Sequence, residues 1–477
     1  MKIIKMALMG GAAFAATSAL AHADDLDALK AQIEALNARV AAMEATPAVP
    51  AGYSLLAISE GPLTQTPGLP MKNRELASYG DEATYITVLP TADAPAGATI
   101  TWSGYVRAGV IYNNYAPTLK GRTYDADTET WSGWTTDKAA SADTDDTDIL
   151  ARGQLRVTAA TDTAVGEVGV DIRMRADFNG NGKGDVYSDV AWGYWAMTPE
   201  VTFGGGYAGS LGNIGYGYDG ACTCYLTDSA DVNFNPGDVT QLRLSYGSGP
   251  VSAAVAFEDA SLRGTDLSAS DSSDGDKLGV SGELKYSGDI FNGEVAAVWR
   301  DKDDNDDAGY TDLWQVGAGM AFALGDMANL SLAGAFGEGP FQTVASNSSQ
   351  DAGEITQSLP YNQSWWGVSG LLSANLSEVI HAEVAAGYKN RDGDSFKTDV
   401  FDDPYKSKGA DYETWAFLGG VYYDPVPQLT IGVEAEYFTV TNEATLENTS
   451  KANEGDKVQL DFKKDTFTLD LVSVWRF

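Results

Sequence analysis

From Thr99 to Phe477 apolar and polar residues take turns, the period-two pattern of extended strands with unlike faces. Leu429, Ile431, Val433, Ala435 and Tyr437 share one face of a segment whose other face is Thr430, Gly432, Glu434 and Glu436. Val168, Val170, Ile172 and Met174 alternate with Gly169, Asp171, Arg173 and Arg175, and Leu278, Val280, Leu284 and Tyr286 stand against Ser281, Glu283 and Lys285. Strands buried in a protein core would not carry such charges, so one face meets an apolar medium and the other meets water. Turns at Thr161–Ala164, around Pro199, at Gly247–Pro250, Gly288–Asp289 and Gly325–Asp326, near Ser377 and at Asp424–Pro427 alternate with long polar loops. The count comes to about sixteen strands, an even number with both ends on one side. An all-β fold is expected over 98–477, a transmembrane antiparallel barrel preceded by a short N-terminal coiled-coil helix.

Composition agrees with a membrane role carried by strands alone. Hydrophobic residues make up 44% of the 477 and mean hydropathy is -0.20. Past the N-terminus there is no run of about 18 apolar residues from which a spanning helix could form. Tyr194, Trp195, Tyr246, Tyr286 and Tyr422 lie near the short turns and Trp299, Trp314, Trp365, Trp366 and Tyr437 near the long loops, two groups that would bracket the hydrocarbon. The last strand places Phe467, Leu469, Leu471, Trp475 and the terminal Phe477 on alternate positions, broken once by Ser473. It resembles the insertion signal of outer-membrane proteins.

Residues 1–23 read as an export signal: Lys2 and Lys5, an apolar stretch from Met6 to Ala16, then small residues ending Ala21-His22-Ala23. Its removal takes the formal charge from -36 to -38, since two lysines leave with it. So acidic a chain is no partner for nucleic acid, and near a pore it attracts cations. Residues 24–45 carry Leu26, Leu29, Ile33, Leu36, Val40 and Met43 three and four apart, a short periplasmic coiled coil or a lone amphipathic helix. Arg39, Val40, Met43 and Glu44 resemble the pattern associated with parallel trimers. Residues 46–97 hold Pro47, Pro50, Pro62, Pro67, Pro70, Pro90 and Pro95, which argue against a central sheet and suggest a linker or small periplasmic subdomain.

Candidate chemistry gathers on the water-facing side. The third long loop, Ala208 to Asp238, holds Gly209, Gly212, Gly215, Gly217 and Gly220 beside Tyr216, Tyr218 and Tyr225, with Asp219, Asp228 and Asp231 as its acids. Glycines let it fold back on the wall. Arg107, Arg152, Arg156, Arg173, Arg175 and Arg243 occupy inward positions of the early strands. Guanidinium groups so close repel one another, so they set up a field or bind anions, or each pairs with an inward acid such as Asp171 or Asp177. Cys222 and Cys224 would bridge only across a turn, and the further ligands of a zinc site are missing, so a structural pair open to oxidation is favoured.

The stretch Trp192 to Tyr225, WGYWAMTPEVTFGGGYAGSLGNIGYGYDGACTCY, resembles the porins of alphaproteobacteria, the rhizobial and Brucella-type family. That resemblance implies a homotrimer of outer-membrane barrels passing small hydrophilic solutes by diffusion, with the third loop as a constriction whose acids face the arginines. A channel selective for a sugar or anion is the nearer rival, and an envelope tether holding peptidoglycan through residues 24–45 the more distant one. Catalysis needs a base, and His381 is the sole histidine left after export, so an enzyme is not expected. Asp177 to Asp185 starts like a calcium loop, yet Ser188 stands where the bidentate glutamate belongs. No cofactor is expected beyond weakly held calcium at the acidic loops Asp125–Asp148, Asp271–Asp276 and Asp301–Asp307, which would bridge them to lipopolysaccharide.

Overall fold

A computed structural model describes residues 55–71, 73–89, 98–137, 143–178, 186–227, 232–259, 278–300, 313–325, 327–338, 364–392, 397–400, 403–448 and 456–477. The export signal and the heptads of 24–45 lie outside the described residues, as do Asp271–Asp276 and Asp301–Asp307. Leu56–Val88 and Ala96–Phe477 form one compact unit, to which everything below refers.

The described residues open with the paired strands β1 (Leu55–Pro62) and β2 (Glu82–Leu89), whose connection holds helix α1 (Asn73–Tyr79). Next come β3 (Ala98–Asp125), the short β4 (Thr130–Trp131) and β5 (Thr135–Asp137), β6 (Thr144–Thr163), β7 (Gly166–Phe178), β8 (Val186–Ala196) and β9 (Val201–Gly209). Helix α2 (Gly217–Ala221) precedes β10 (Asp238–Ser248), β11 (Val251–Asp259), β12 (Leu278–Ser287), β13 (Phe291–Arg300), β14 (Leu313–Ala323) and β15 (Ala328–Glu338). The chain finishes with β16 (Ser364–Ser377), β17 (Ile380–Asp392), the short β18 (Lys397–Val400), β19 (Asp403–Val426), β20 (Leu429–Asn448) and β21 (Lys457–Arg476). Sixteen of these strands close into an antiparallel barrel, the seam being β21 on β3 from Lys457 opposite Tyr124 to Arg476 opposite Tyr105. Closure leaves no edge among these sixteen strands, which lipid could not hydrogen-bond. The short turns stand where the alternation of the sequence places them.

The barrel is inside out relative to a soluble protein. Val168, Val170, Ile172 and Met174 are exposed on its outside, while Asp171 and Arg173 between them are buried within. In water so continuous an apolar belt would drive aggregation; in a bilayer it faces hydrocarbon. Strands β10 to β15 have 9 to 11 residues, the length a tilted strand needs to cross. β3, β6, β19, β20 and β21 run to 20 residues or more and rise past the belt at the long-loop end. Their extension has its own apolar contacts among Tyr412, Ala444, Leu446 and Val458.

Strand parity corrects part of the aromatic reading. Trp195, Tyr246, Tyr286, Trp299, Trp366 and Tyr437 face outward, but Tyr194, Tyr422 and Trp365 are buried on the lumen side. Neighbouring residues of one strand cannot share a face, so Tyr194 with Trp195 and Trp365 with Trp366 must divide. Ser473, the polar interruption of the last strand, donates its hydroxyl to the Ala108 carbonyl at 3.2 Å.

Candidate functional site: the lumen

The connection between β9 and β10 enters the barrel and follows its wall. Main-chain groups there must find partners, and inward side chains of successive strands supply them. Glu258 of β11 accepts from Ser210 Oγ at 2.7 Å, and Glu294 of β13 accepts the Gly215 N–H. Ser331 of β15 and Ser369 of β16 accept the Gly217 and Tyr218 N–H groups at 2.9 and 3.1 Å. Glu383 of β17 takes both N–H and hydroxyl of Thr223 at 2.8 and 2.7 Å. Glu434 of β20 takes the Tyr225, Leu226 and Thr227 N–H groups at 2.6, 3.1 and 2.9 Å, and Glu436 takes the Tyr218 hydroxyl at 2.5 Å. The contact is close enough to demand glycine: Gly217 has φ of +75°, and a β-carbon there would lie 2.6 Å from that of Ala333.

Cys222 and Cys224 are joined as a disulfide inside this loop, their Cα atoms 5.3 Å apart, with Cys224 at a φ of +29° making the turn. Tyr218 is buried, and burial with Glu436 beside it holds its phenol protonated far above the usual range. Tyr216 is half-buried, its phenol pushed up to about 12 by burial and by the charge of Glu294. Asp219 lies 3.6 Å from Arg74 of α1. Asp228 and Asp231 are outside the described residues.

Most of the arginines singled out in the sequence are matched by acids. Asp171 sits between Arg156 and Arg173 at 3.0 and 3.2 Å, all three buried. Asp177 pairs with both Arg152 and Arg175, and Asp189 lies 3.5 Å from Arg175. Arg243 donates to Gln241 and to the carbonyls of Gly209 and Gly68, with its guanidinium 5.1 Å above the Trp192 ring. His381 lies at the short-turn end, 2.8 Å from Asp424 and stacked on Tyr422.

A second segment in the lumen went unread in the sequence. Residues 63–80, between β1 and β2, are anchored to the arginine wall. Arg156 donates to the Thr64 carbonyl and the Thr66 hydroxyl at 2.9 and 3.0 Å, and Thr66 donates to Asp171 at 2.8 Å. Glu75 of α1 meets Arg173 at 2.9 Å. At the other end of α1 the Ala77 carbonyl accepts from Arg476 at 2.6 Å, the cation lying where the helix dipole favours it. Gly80, with φ of +77° and its N–H on the Leu76 carbonyl, caps the helix against the Arg476 side chain. Leu69, Met71 and Tyr79 are buried, Tyr79 edge-on to Tyr105 of β3 at 5.2 Å. Leu69 and Pro70 line both a cavity of about 600 Å³ on the side of Glu283 and Glu294 and one of about 330 Å³ on the side of Arg107 and Arg175.

A closed barrel with an apolar outside, charged inside and inward-folded loop defines a bacterial outer-membrane channel. The porin subfamily model Porin_2 matches residues 97–468. The chain belongs to that family, whose members are channels and not enzymes. No curated protein matches the chain. Among solved structures, the anion-selective porin from Comamonas acidovorans is 12% identical, with 80% of this chain and 100% of that one covered at a TM-score of 0.44. OmpT of Vibrio cholerae, folded in vitro, is 10% identical over 80% of this chain and 98% of its own, at 0.44. A mutant of the Rh. blastica porin is 14% identical over 79% and 100%, at 0.38.

Proposed function

We propose that the chain forms a water-filled channel for passive diffusion of small hydrophilic solutes and ions, with the 208–238 loop as a constriction facing the arginine wall. The observation that carries this is the grip of Glu434, Glu383 and Glu294 on loop backbone amides, which holds the loop inside the lumen. Family membership supports a homotrimer, and the Trp192–Tyr225 stretch supports the alphaproteobacterial branch. The short turns and the N-terminal segment would then face the periplasm. Reconstitution tests the reading: step-like conductance in planar bilayers and liposome swelling that falls with sugar size are expected. Tight liposomes and silent bilayers would refute it.

One observation favours the narrower reading of a solute-selective channel. Residues 63–80 occupy lumen that would otherwise be open, and divide it into two cavities. Saturable block of ion current by a permeant solute would support selectivity; current proportional to salt with no block by sugars or anions would leave a general pore.

A further inference from the structure

Five of the six lumen arginines read from the sequence are held. Arg152 and Arg175 share Asp177, Arg156 and Arg173 share Asp171, and Arg243 is bound by Gln241 and two carbonyls. Arg107 differs from all of them. Its side chain is buried, its Nε has no acceptor, and among the described residues it forms no hydrogen bond or ion pair. Tyr105 and Glu434 act in favour of its charge, while Arg74 and Arg175 act against it. Glu434 is already engaged by three loop amides, the Thr227 hydroxyl and the Tyr422 hydroxyl.

An enclosed guanidinium with no counter-charge is unfavourable, and two neighbouring cations make it more so. Arg107 does not end in packed protein, however. It opens on the cavity of about 330 Å³ roofed by α1, whose other cations are Arg74, Arg152, Arg173 and Arg175. Four carboxylates line it too: Glu75 is paired with Arg173, Asp189 with Arg175 and Asp219 with Arg74, and Asp238 stands at the start of β10. At about 30 Å³ per water, the space accommodates an anion the size of phosphate with several waters. The planar fork of a guanidinium matches paired oxygens of a phosphate or carboxylate.

We propose that this cavity, between α1 and the wall formed by β3, β6 and β7, is a binding site for a small oxyanion, centred on Arg107. The inference deepens the channel reading and rests on it, because the site would be met by solutes crossing the lumen. It also assigns the arginines different tasks: five build the wall, and one is left for the solute.

Calorimetric titration of inorganic phosphate into the detergent-solubilised full barrel tests it, with chloride as the competing halide. Saturable binding by the native protein is expected, weakened at least about tenfold in Arg107→Gln by loss of a charge-assisted pair and retained in Arg122→Gln, which lies outside the cavity. Arg107→Lys keeps the charge without the fork and should fall between; it also reads the site should Arg107→Gln not assemble. No binding by the native barrel, or equal binding by Arg107→Gln, overturns the proposal. Binding that emerges only after Asp228 and Asp231 are both changed to Asn overturns it too, since a loop carboxylate would then be the counter-charge. Bilayer recordings of the same preparations keep the two readings apart. Silent bilayers with intact phosphate binding reject the channel and leave the site, whereas normal conductance without binding does the reverse.

Discussion

Glu434 of β20 accepts the backbone N–H of Tyr225 at 2.6 Å, and the same carboxylate takes the next two amides of the loop. An inward side chain of a barrel strand thus does what a neighbouring strand does elsewhere, satisfying consecutive main-chain donors. The Tyr422 hydroxyl, 3.1 Å from Glu434, holds the carboxylate from behind.

Glu434→Ala should therefore free the 225–227 end of the loop while leaving the barrel closed. Three amides would lose their acceptor, two of them buried, at about 1–3 kcal/mol for each that water cannot reach. The expected outcome is faster proteolysis within the loop and flickering single-channel current, with an unchanged sheet spectrum. Current as steady as the native trace would show that Glu383 and Glu294 suffice.

Asp171 lies between two buried guanidinium groups, so its removal leaves both uncompensated. Asp171→Asn should destabilise the barrel by about 3–5 kcal/mol, the usual result of breaking a buried pair from one side. Urea unfolding in detergent measures it. Adding Arg156→Gln should recover part of the loss, and a double variant no better than the single one would show that the Arg173 interaction dominates.

The strand count, turn positions and division into lipid and lumen faces were legible because side chains alternate with a period of two, and a charge on one face leaves its neighbours no choice. Where parity was overlooked, at Tyr194 beside Trp195, the reading failed. Arginines could be placed on the inner face with Asp171 and Asp177 as candidate partners two positions along the same strand, but Glu75 could not be foreseen beside Arg173, because it comes from α1, far away in the chain. Residues 63–80 stayed hidden for a physical reason. Helix α1 is 7 residues long, too short for an apolar period to stand out, and the prolines around it signal only the lack of a regular sheet.

Alkali should loosen the loop before the sheet. Tyr216 and Tyr225 are both pushed up to about 12 from 10.0, chiefly by burial. With folded values above the unfolded one, their contribution is complete below pH 10 and is lost as pH rises towards 12. Phenolate absorbance should lag behind that of free tyrosine across this window, and loop proteolysis should rise within it. Loop cleavage that is constant from neutral pH to 12 would rule out a part for these phenols.

The position of α1 makes the native channel narrower than the barrel alone. Glu75 neutralises Arg173, and the carbonyls of Thr64 and Gly68 engage Arg156 and Arg243. Replacing residues 63–80 with an equally long Gly-Ser linker should open the lumen, and Lys72 and Arg74 would leave together with Glu75. Conductance should increase, with no turn of the reversal potential towards anion selectivity. Glu75→Gln alone should instead move the reversal potential in a salt gradient towards anion selectivity with little gain in conductance, because it removes one negative charge while the helix remains seated through Arg476 and Ala77. A linker variant with native conductance would mean that the 208–238 loop, and not this segment, sets the width of the passage.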